Sequence, residues 1–109
     1  MSDVPSNRPD TLEHYKSEHR ALAAFRMLGR EPSYMRNEDI VGCHFMRLGL
    51  ACSRAQIRDC LGMLERGGLI EMSKVVTLVV VRLTAKGEEV GNGLVLAEGV
   101  LKPGVDCPY

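Results

Sequence analysis

The hydrophobic period of this chain changes abruptly at Gly67-Gly68, and that change constrains the fold more than any other feature. Upstream, Ile57, Leu61 and Leu64 recur at helical spacing behind Ser53, with Gln56 three residues after that serine. A serine followed at this interval by glutamine satisfies free backbone donors reciprocally and marks a helix start. The spacing therefore predicts a helix opened by Ser53, with Cys60 on its flank, and stopped by the glycine pair. Downstream, residues 69–73 and 77–83 are rich in β-branched and apolar side chains and read as the strands of a hairpin. The turn between them is poorly marked, because Lys74-Val75-Val76 contains no Gly, Asn or Pro.

Two further helices precede this unit. Asp10, three residues before Glu13, forms a capping-box-like pair, and the helix it opens runs to about Leu28 with Gly29 as its stop and Pro32 forbidding continuation. Leu22, Phe25 and Leu28, with Tyr15 further back, line up as its apolar stripe. Asn37 caps a short second helix that places Ile40, Val41, Phe45 and Leu48 on one face and ends at Gly49. Leu50, Ala51 and Cys52 form the turn into the third helix. After the hairpin, Thr84 opens a short last helix from Ala85 to about Asn92, weakened by Gly87 and Gly91. The expected organisation is a loose arm over residues 1–9, one domain over 10–93 and a tail over 94–109. The fold class is α+β: a winged helix-turn-helix of three helices, a two-stranded β-hairpin wing and a short C-terminal helix.

Length and composition set the outer bounds. A chain of 109 residues fits one compact domain, and 45% hydrophobic with 26% charged residues is ordinary for a globular protein. No apolar run is long enough to cross a membrane, and residues 1–10 lack a basic-then-apolar signal pattern, so a cytoplasmic location is expected. Net charge is zero, yet residues 36–86 hold eight basic against five acidic side chains, while residues 87–109 hold one against four. The middle of the chain thus carries a weak basic footprint, which permits nucleic-acid binding without demanding it.

The cysteines point to no metal. Cys43, Cys52, Cys60 and Cys107 form no C-x-x-C pair and have no histidine at finger-like spacing, so they read as small buried thiols. Cys52 and Cys60 lie more than two turns apart on one helix, and His14 and His19 are about 140° apart around another. No cofactor is implied. No motif poses a nucleophile beside a base, and no glycine-rich loop follows a strand, so no enzyme is expected.

Several segments resemble a known family. Arg36-Asn37-Glu38, then the run from Ala51 to Arg58, then Leu64-Glu65-Arg66-Gly67-Gly68-Leu69-Ile70, and finally Leu83-Thr84-Ala85-Lys86-Gly87 resemble the small ArsR-like winged-helix proteins of Mu-like phages and prophages. That family reads R-x-N-E, V-S-R-D-Q-V-R, L-x-x-x-G-L-V and L-T-x-x-G in the same order. The segment from Leu101 to Val105 looks like a displaced version of its V-P-G-V ending. The resemblance implies a phage or prophage protein that binds double-stranded DNA and acts as a transcriptional regulator.

The residues of the third helix fit that implication. With Ile57, Leu61 and Leu64 inward, Ala55, Arg58, Asp59, Gly62 and Arg66 face outward and Arg54 and Gln56 flank them. Arginine can grip phosphate or read guanine, glutamine can read adenine, and Ser53 with the helix N-terminus offers donors to a phosphate. The candidate DNA-binding residues are Ser53, Arg54, Gln56, Arg58, Arg66 and, on the wing, Lys74. Against this stand Asp59 within the face, the zero net charge and an apolar wing tip. These favour a rival reading, a winged helix used as a protein-protein interaction module without DNA binding, with a phage or host partner. The second strand is apolar on both faces, which a strand covered on one side should not be. Either the first helix or a second subunit covers the other face, and a homodimer is expected.

Overall fold

The computed structural model describes residues 8–104 and 109. The fold is α+β, with four helices and a small three-stranded antiparallel sheet, an arrangement compatible with a winged helix. In chain order the elements are α1 (Arg8–Gly29), β1 (Met35–Asn37), α2 (Glu38–Arg47), α3 (Arg54–Arg66), β2 (Ile70–Val75), β3 (Leu78–Leu83) and α4 (Ala85–Gly91).

The third element of the sheet corrects the two-stranded expectation. β1 pairs antiparallel with β3, Met35 opposite Arg82 and Asn37 opposite Val80, so that β3 is the central strand in the order β1-β3-β2. Three residues are too few to show a period of two, and Arg36-Asn37-Glu38 reads locally as a helix start. The hairpin strands also shift: β2 pairs Ile70 with Leu83 at its base and Val75 with Leu78 at its tip, leaving Val76-Thr77 as a two-residue turn. Val81 and Leu83 are buried in one cluster with residues of α1 and α3, while on the other face Glu71 and Arg82 form an exposed ion pair (3.1 Å) and Leu78, towards the tip, is exposed. Helices α1 and α3 thus pack against one face of the sheet.

Helix α1 departs most from expectation. It is already helical at Arg8 and Pro9, so Asp10 lies inside it rather than at its cap; residues 1–7 of the expected arm lie outside the described residues. The Glu13 carboxylate does not serve a capping box; it pairs with Arg20 at 2.7 Å. Tyr15 is 57% exposed and does not extend the stripe of Leu22, Phe25 and Leu28, all of which are buried. From Arg20 to Phe25 every residue is buried, because two packed clusters flank the helix. One joins Ala21, Leu22, Phe25 and Leu28 to Cys60, Leu61 and Leu64 of α3 and to Val81 and Leu83. The other joins Ala23 and Ala24 to Val41 and Phe45 of α2 and to Leu50. A helix covered on all sides must be small and apolar all round, which Ala21-Leu22-Ala23-Ala24-Phe25 supplies.

The remaining elements follow their local signals closely. Asn37 accepts from the Ile40 N–H (2.9 Å) and caps α2, whose Val41 and Phe45 are buried while Ile40, a residue off that stripe, stays exposed. Ser53 and Gln56 form the reciprocal capping box of α3. Cys60 is buried in the core rather than on a flank, and burial pushes its thiol up to about 11. Gly68 takes the left-handed φ of +75° that turns the chain from α3 into β2. Thr84 caps α4 through its bond from the Gly87 N–H (3.1 Å). Beyond α4, Val100 is buried in the larger core cluster, and the Leu101 N–H donates to the Glu18 carbonyl (3.2 Å), so this segment lies along α1. Cys43 is exposed, which corrects its reading as a buried thiol, and Cys107 lies outside the described residues. No helix among the described residues is long and apolar enough to cross a membrane.

Candidate nucleic-acid interface

The candidate site is built where the start of α2 meets the start of α3. The turn joining these helices is fixed from below by Arg20, whose Nε donates to the Leu50 carbonyl (3.2 Å) while its Nη1 and Nη2 hold Glu13. A guanidinium only 1% exposed is tolerable because these partners satisfy it. The Asn37 cap then puts Glu38 and Asp39 in the first turn of α2, where carboxylates suit the helix dipole. The Ser53 cap puts Arg54 and Arg58 one turn apart along α3.

These four side chains form one ionic network. Arg58 engages Glu38 side-on, with Nε on Oε2 at 3.2 Å and Nη2 on Oε1 at 2.9 Å. Arg54 places Nη1 on the same Oε1 at 2.6 Å and Nη2 on Asp39 Oδ1 at 3.0 Å. The Glu38 side chain is only 5% exposed, whereas those of Arg54 and Arg58 are more than half exposed. The Arg58 hydrogen bonds hold the Glu38 carboxyl below the ordinary carboxylate range, against the opposing effect of burial. Both guanidiniums are held above their ordinary range, Arg58 by its bond to Glu38 and Arg54 chiefly by its bond to Asp39. Because the folded value for Glu38 is depressed, its contribution to stability is present above the usual carboxylate range and lost as pH falls through the depressed value.

The six candidate residues therefore stand differently. Ser53 and Gln56 are occupied with each other: the Gln56 N–H donates to Ser53 Oγ (3.1 Å), and Gln56 Oε1 accepts from the Ser53 N–H (2.9 Å). A glutamine reads adenine through both its oxygen and its nitrogen, so the cap competes with that use. Arg54 and Arg58 are paired as described. Arg66 is exposed in the last turn of α3 and folds back over Gly62, where a β-carbon would lie 3.4 Å from its Nη1. Lys74 is exposed on β2, and neither it nor Arg66 makes an ion pair among the described residues. Lys74 and Arg58 share a groove of about 340 Å³ between α3 and the hairpin, lined also by Glu38, Met72, Ser73 and Val79.

Sequence reasoning missed Glu38 and Asp39 as partners of the arginines, and Arg20 as the anchor of the turn. The pairing in the first case spans 16 and 20 residues, and nothing local announces it. For Arg20 a signal existed: Glu13 lies seven residues earlier, two turns back on the same face of α1. Among the described residues no group of three His, Cys, Asp or Glu side chains is placed to hold a metal ion. Compared with protein-family models, with curated proteins and with solved structures, the chain matches none.

Proposed function

We propose that the chain is a winged helix-turn-helix protein of the phage and prophage type that binds double-stranded DNA and regulates transcription, rather than an enzyme. The observation that carries this reading is the exposed face of α3. Ala55 and Arg58 are exposed, Gly62 on the same face carries only the end of the flexible Arg66 side chain over it, and Lys74 of the hairpin lies across the groove from Arg58. Small residues let a helix backbone come close to a groove floor, and arginine supplies contacts to bases or phosphates. In this reading α3 enters the major groove, α2 crosses the backbone and the β2–β3 hairpin lies alongside. Arg66 and Lys74 contact flanking phosphates.

The test is fluorescence anisotropy of the purified protein with short random-sequence duplexes at two salt concentrations. With the Arg54 charge taken up internally, few cations are left for phosphate. The expected result is micromolar binding with a shallow slope of log K on log salt, roughly −2 to −3, since each neutralised phosphate contributes about −0.9. Lys74→Ala should reduce the slope by about one such step. No binding at low salt would overturn the reading.

One observation favours a second reading, a protein-protein interaction module, including pairing of two copies. The hairpin tip exposes Val75, Val76 and Leu78, with Met35 exposed on β1, and Val76 has a φ of +61° and is 91% exposed. A β-branched residue in that conformation is strained, and with 91% of it exposed little packing offsets the strain. Under this reading Val75→Asp or Val76→Asp abolishes association, measured by sedimentation, and Arg58→Ala does little. Under the first, Arg58→Ala weakens duplex binding by about 1–3 kcal/mol.

A further inference from the structure

The two arginines of the network are held through different edges of their guanidinium groups. A guanidinium has a side-on edge made by Nε and Nη2 and an end-on edge made by Nη1 and Nη2, and either can grip two acceptors. Glu38 takes the side-on edge of Arg58 with both oxygens, at 3.2 and 2.9 Å. Among the described residues nothing takes its end-on edge, and 56% of the side chain is exposed. For Arg54 the arrangement is reversed. Its Nη1 and Nη2 each already serve a carboxylate, one Glu38 and the other Asp39, so its end-on edge is taken and among the described residues only its Nε edge stays open. Gln56 is closed as well, because its carbonyl oxygen serves the α3 cap.

We propose that Glu38 is a positioning residue that presents the end-on edge of Arg58 to a guanine, while Arg54 serves only to neutralise and steady that carboxylate. This rests on the DNA-binding reading above and singles out Arg58 among the candidate readers on α3. Guanine is the base that fits, since its O6 and N7 are two acceptors side by side in the major groove, matching a two-donor edge. Fixing the guanidinium by its other edge removes most of its rotamer freedom before DNA arrives. The buried carboxylate also cancels charge that would otherwise grip phosphate at any sequence. Glu38 thereby trades general affinity for discrimination at one base pair.

The experiment selects preferred duplexes from a random library for the full chain, then measures binding to the selected site and to its single-base variants. It is repeated for Glu38→Gln, Arg58→Ala and Arg54→Ala, each checked for an unchanged circular dichroism spectrum. The wild type is expected to prefer guanine at one position of the site by about tenfold or more. Arg58→Ala should flatten that position to within twofold and leave the other positions as they were. Glu38→Gln should also flatten it, while binding random duplex more tightly and steepening the salt slope by up to one phosphate's worth. A merely structural role for Glu38 would weaken binding at every sequence alike. Arg54→Ala, which leaves Glu38 less steady, should lower the guanine preference by less than Arg58→Ala does.

Retention of the full preference by Glu38→Gln or by Arg58→Ala would overturn the proposal while leaving DNA binding standing, and so would a loss in Arg54→Ala as large as that in Arg58→Ala. Failure of the wild type to bind any duplex would overturn this proposal and the DNA reading together. The two failures are therefore distinct.

Discussion

The two ends of the β2–β3 hairpin obey opposite rules. At its base Ile70 and Leu83 are paired and buried, the Leu83 N–H donates to the Tyr34 carbonyl (2.9 Å), and the Thr84 N–H donates to the Leu69 carbonyl (3.2 Å). Helix α4 is drawn so close that a β-carbon at Gly87 would lie 2.1 Å from the Leu69 oxygen. At the tip the two-residue turn holds Val76 in the left-handed region with almost all of its side chain in solvent. So a glycine stands inside a helix, where propensity asks for alanine, and a valine stands where a turn asks for glycine. Where neighbours are dense, packing overrides local preference. At the tip no neighbour among the described residues buries Val76, and local preference is simply violated.

The largest test of this contrast is Gly87→Ala. A backbone oxygen cannot swing away as the end of a side chain can, so α4 or the base of β2 must move. Overpacking of this kind costs about 3 kcal/mol, and the gain of about 1 kcal/mol in helix propensity offsets only part of it. Denaturant unfolding should therefore show a net loss of about 2 kcal/mol. A variant as stable as the wild type would mean that the base is looser than its contacts indicate.

Thr84→Ala comes next. The Thr84 hydroxyl accepts from the Gly87 N–H and lies 2.9 Å from both the Gly68 and Leu69 carbonyls, so one side chain ties the α4 cap to the start of β2. Loss of a cap of this kind costs about 1 kcal/mol. Thr84→Ser keeps the hydroxyl and should recover most of it, with both read from the same unfolding curves. If serine fails to recover, the methyl group rather than the cap holds the base, and the base owes its order to packing alone.

The same division explains what could be read from the sequence. The caps at Asn37, Ser53 and Thr84 were legible because a cap is a local event, settled within four residues. The core stripe of α3 was legible because Leu61 and Leu64 repeat at helical spacing, and Cys60 was read as a buried thiol, though as a flanking residue rather than part of that core. Strand β1 was not legible, since its three residues become a strand only by pairing with residues 80–82. The all-round burial of α1 from Arg20 to Phe25 was hidden for the same reason, because it depends on α2, α3 and β3 arriving together. In the candidate site the positions of Arg54 and Arg58 on α3 were read correctly, but their state was not. Glu38 and Asp39 read as good residues for the first turn of a helix, and their grip on the arginines exists only once α2 and α3 are docked.

The smallest effect is the most pointed, because it concerns the tip alone. Holding an ordinary residue in the left-handed region costs about 1–2 kcal/mol, and a β-branched one is among the worst placed there. Val76→Gly removes that cost but loosens the unfolded chain, which takes back about 0.5–1 kcal/mol. The net expectation is a gain of up to about 1 kcal/mol, seen as a higher denaturant midpoint with an unchanged slope. Val76→Ala divides the effect: it removes the branch and keeps the β-carbon, so it should recover only part of the gain. A loss of stability in the glycine variant would show that the valine side chain makes a stabilising contact, as it would between two copies. In that event the loss should grow with protein concentration, since an intermolecular contact strengthens by mass action and a strained turn does not.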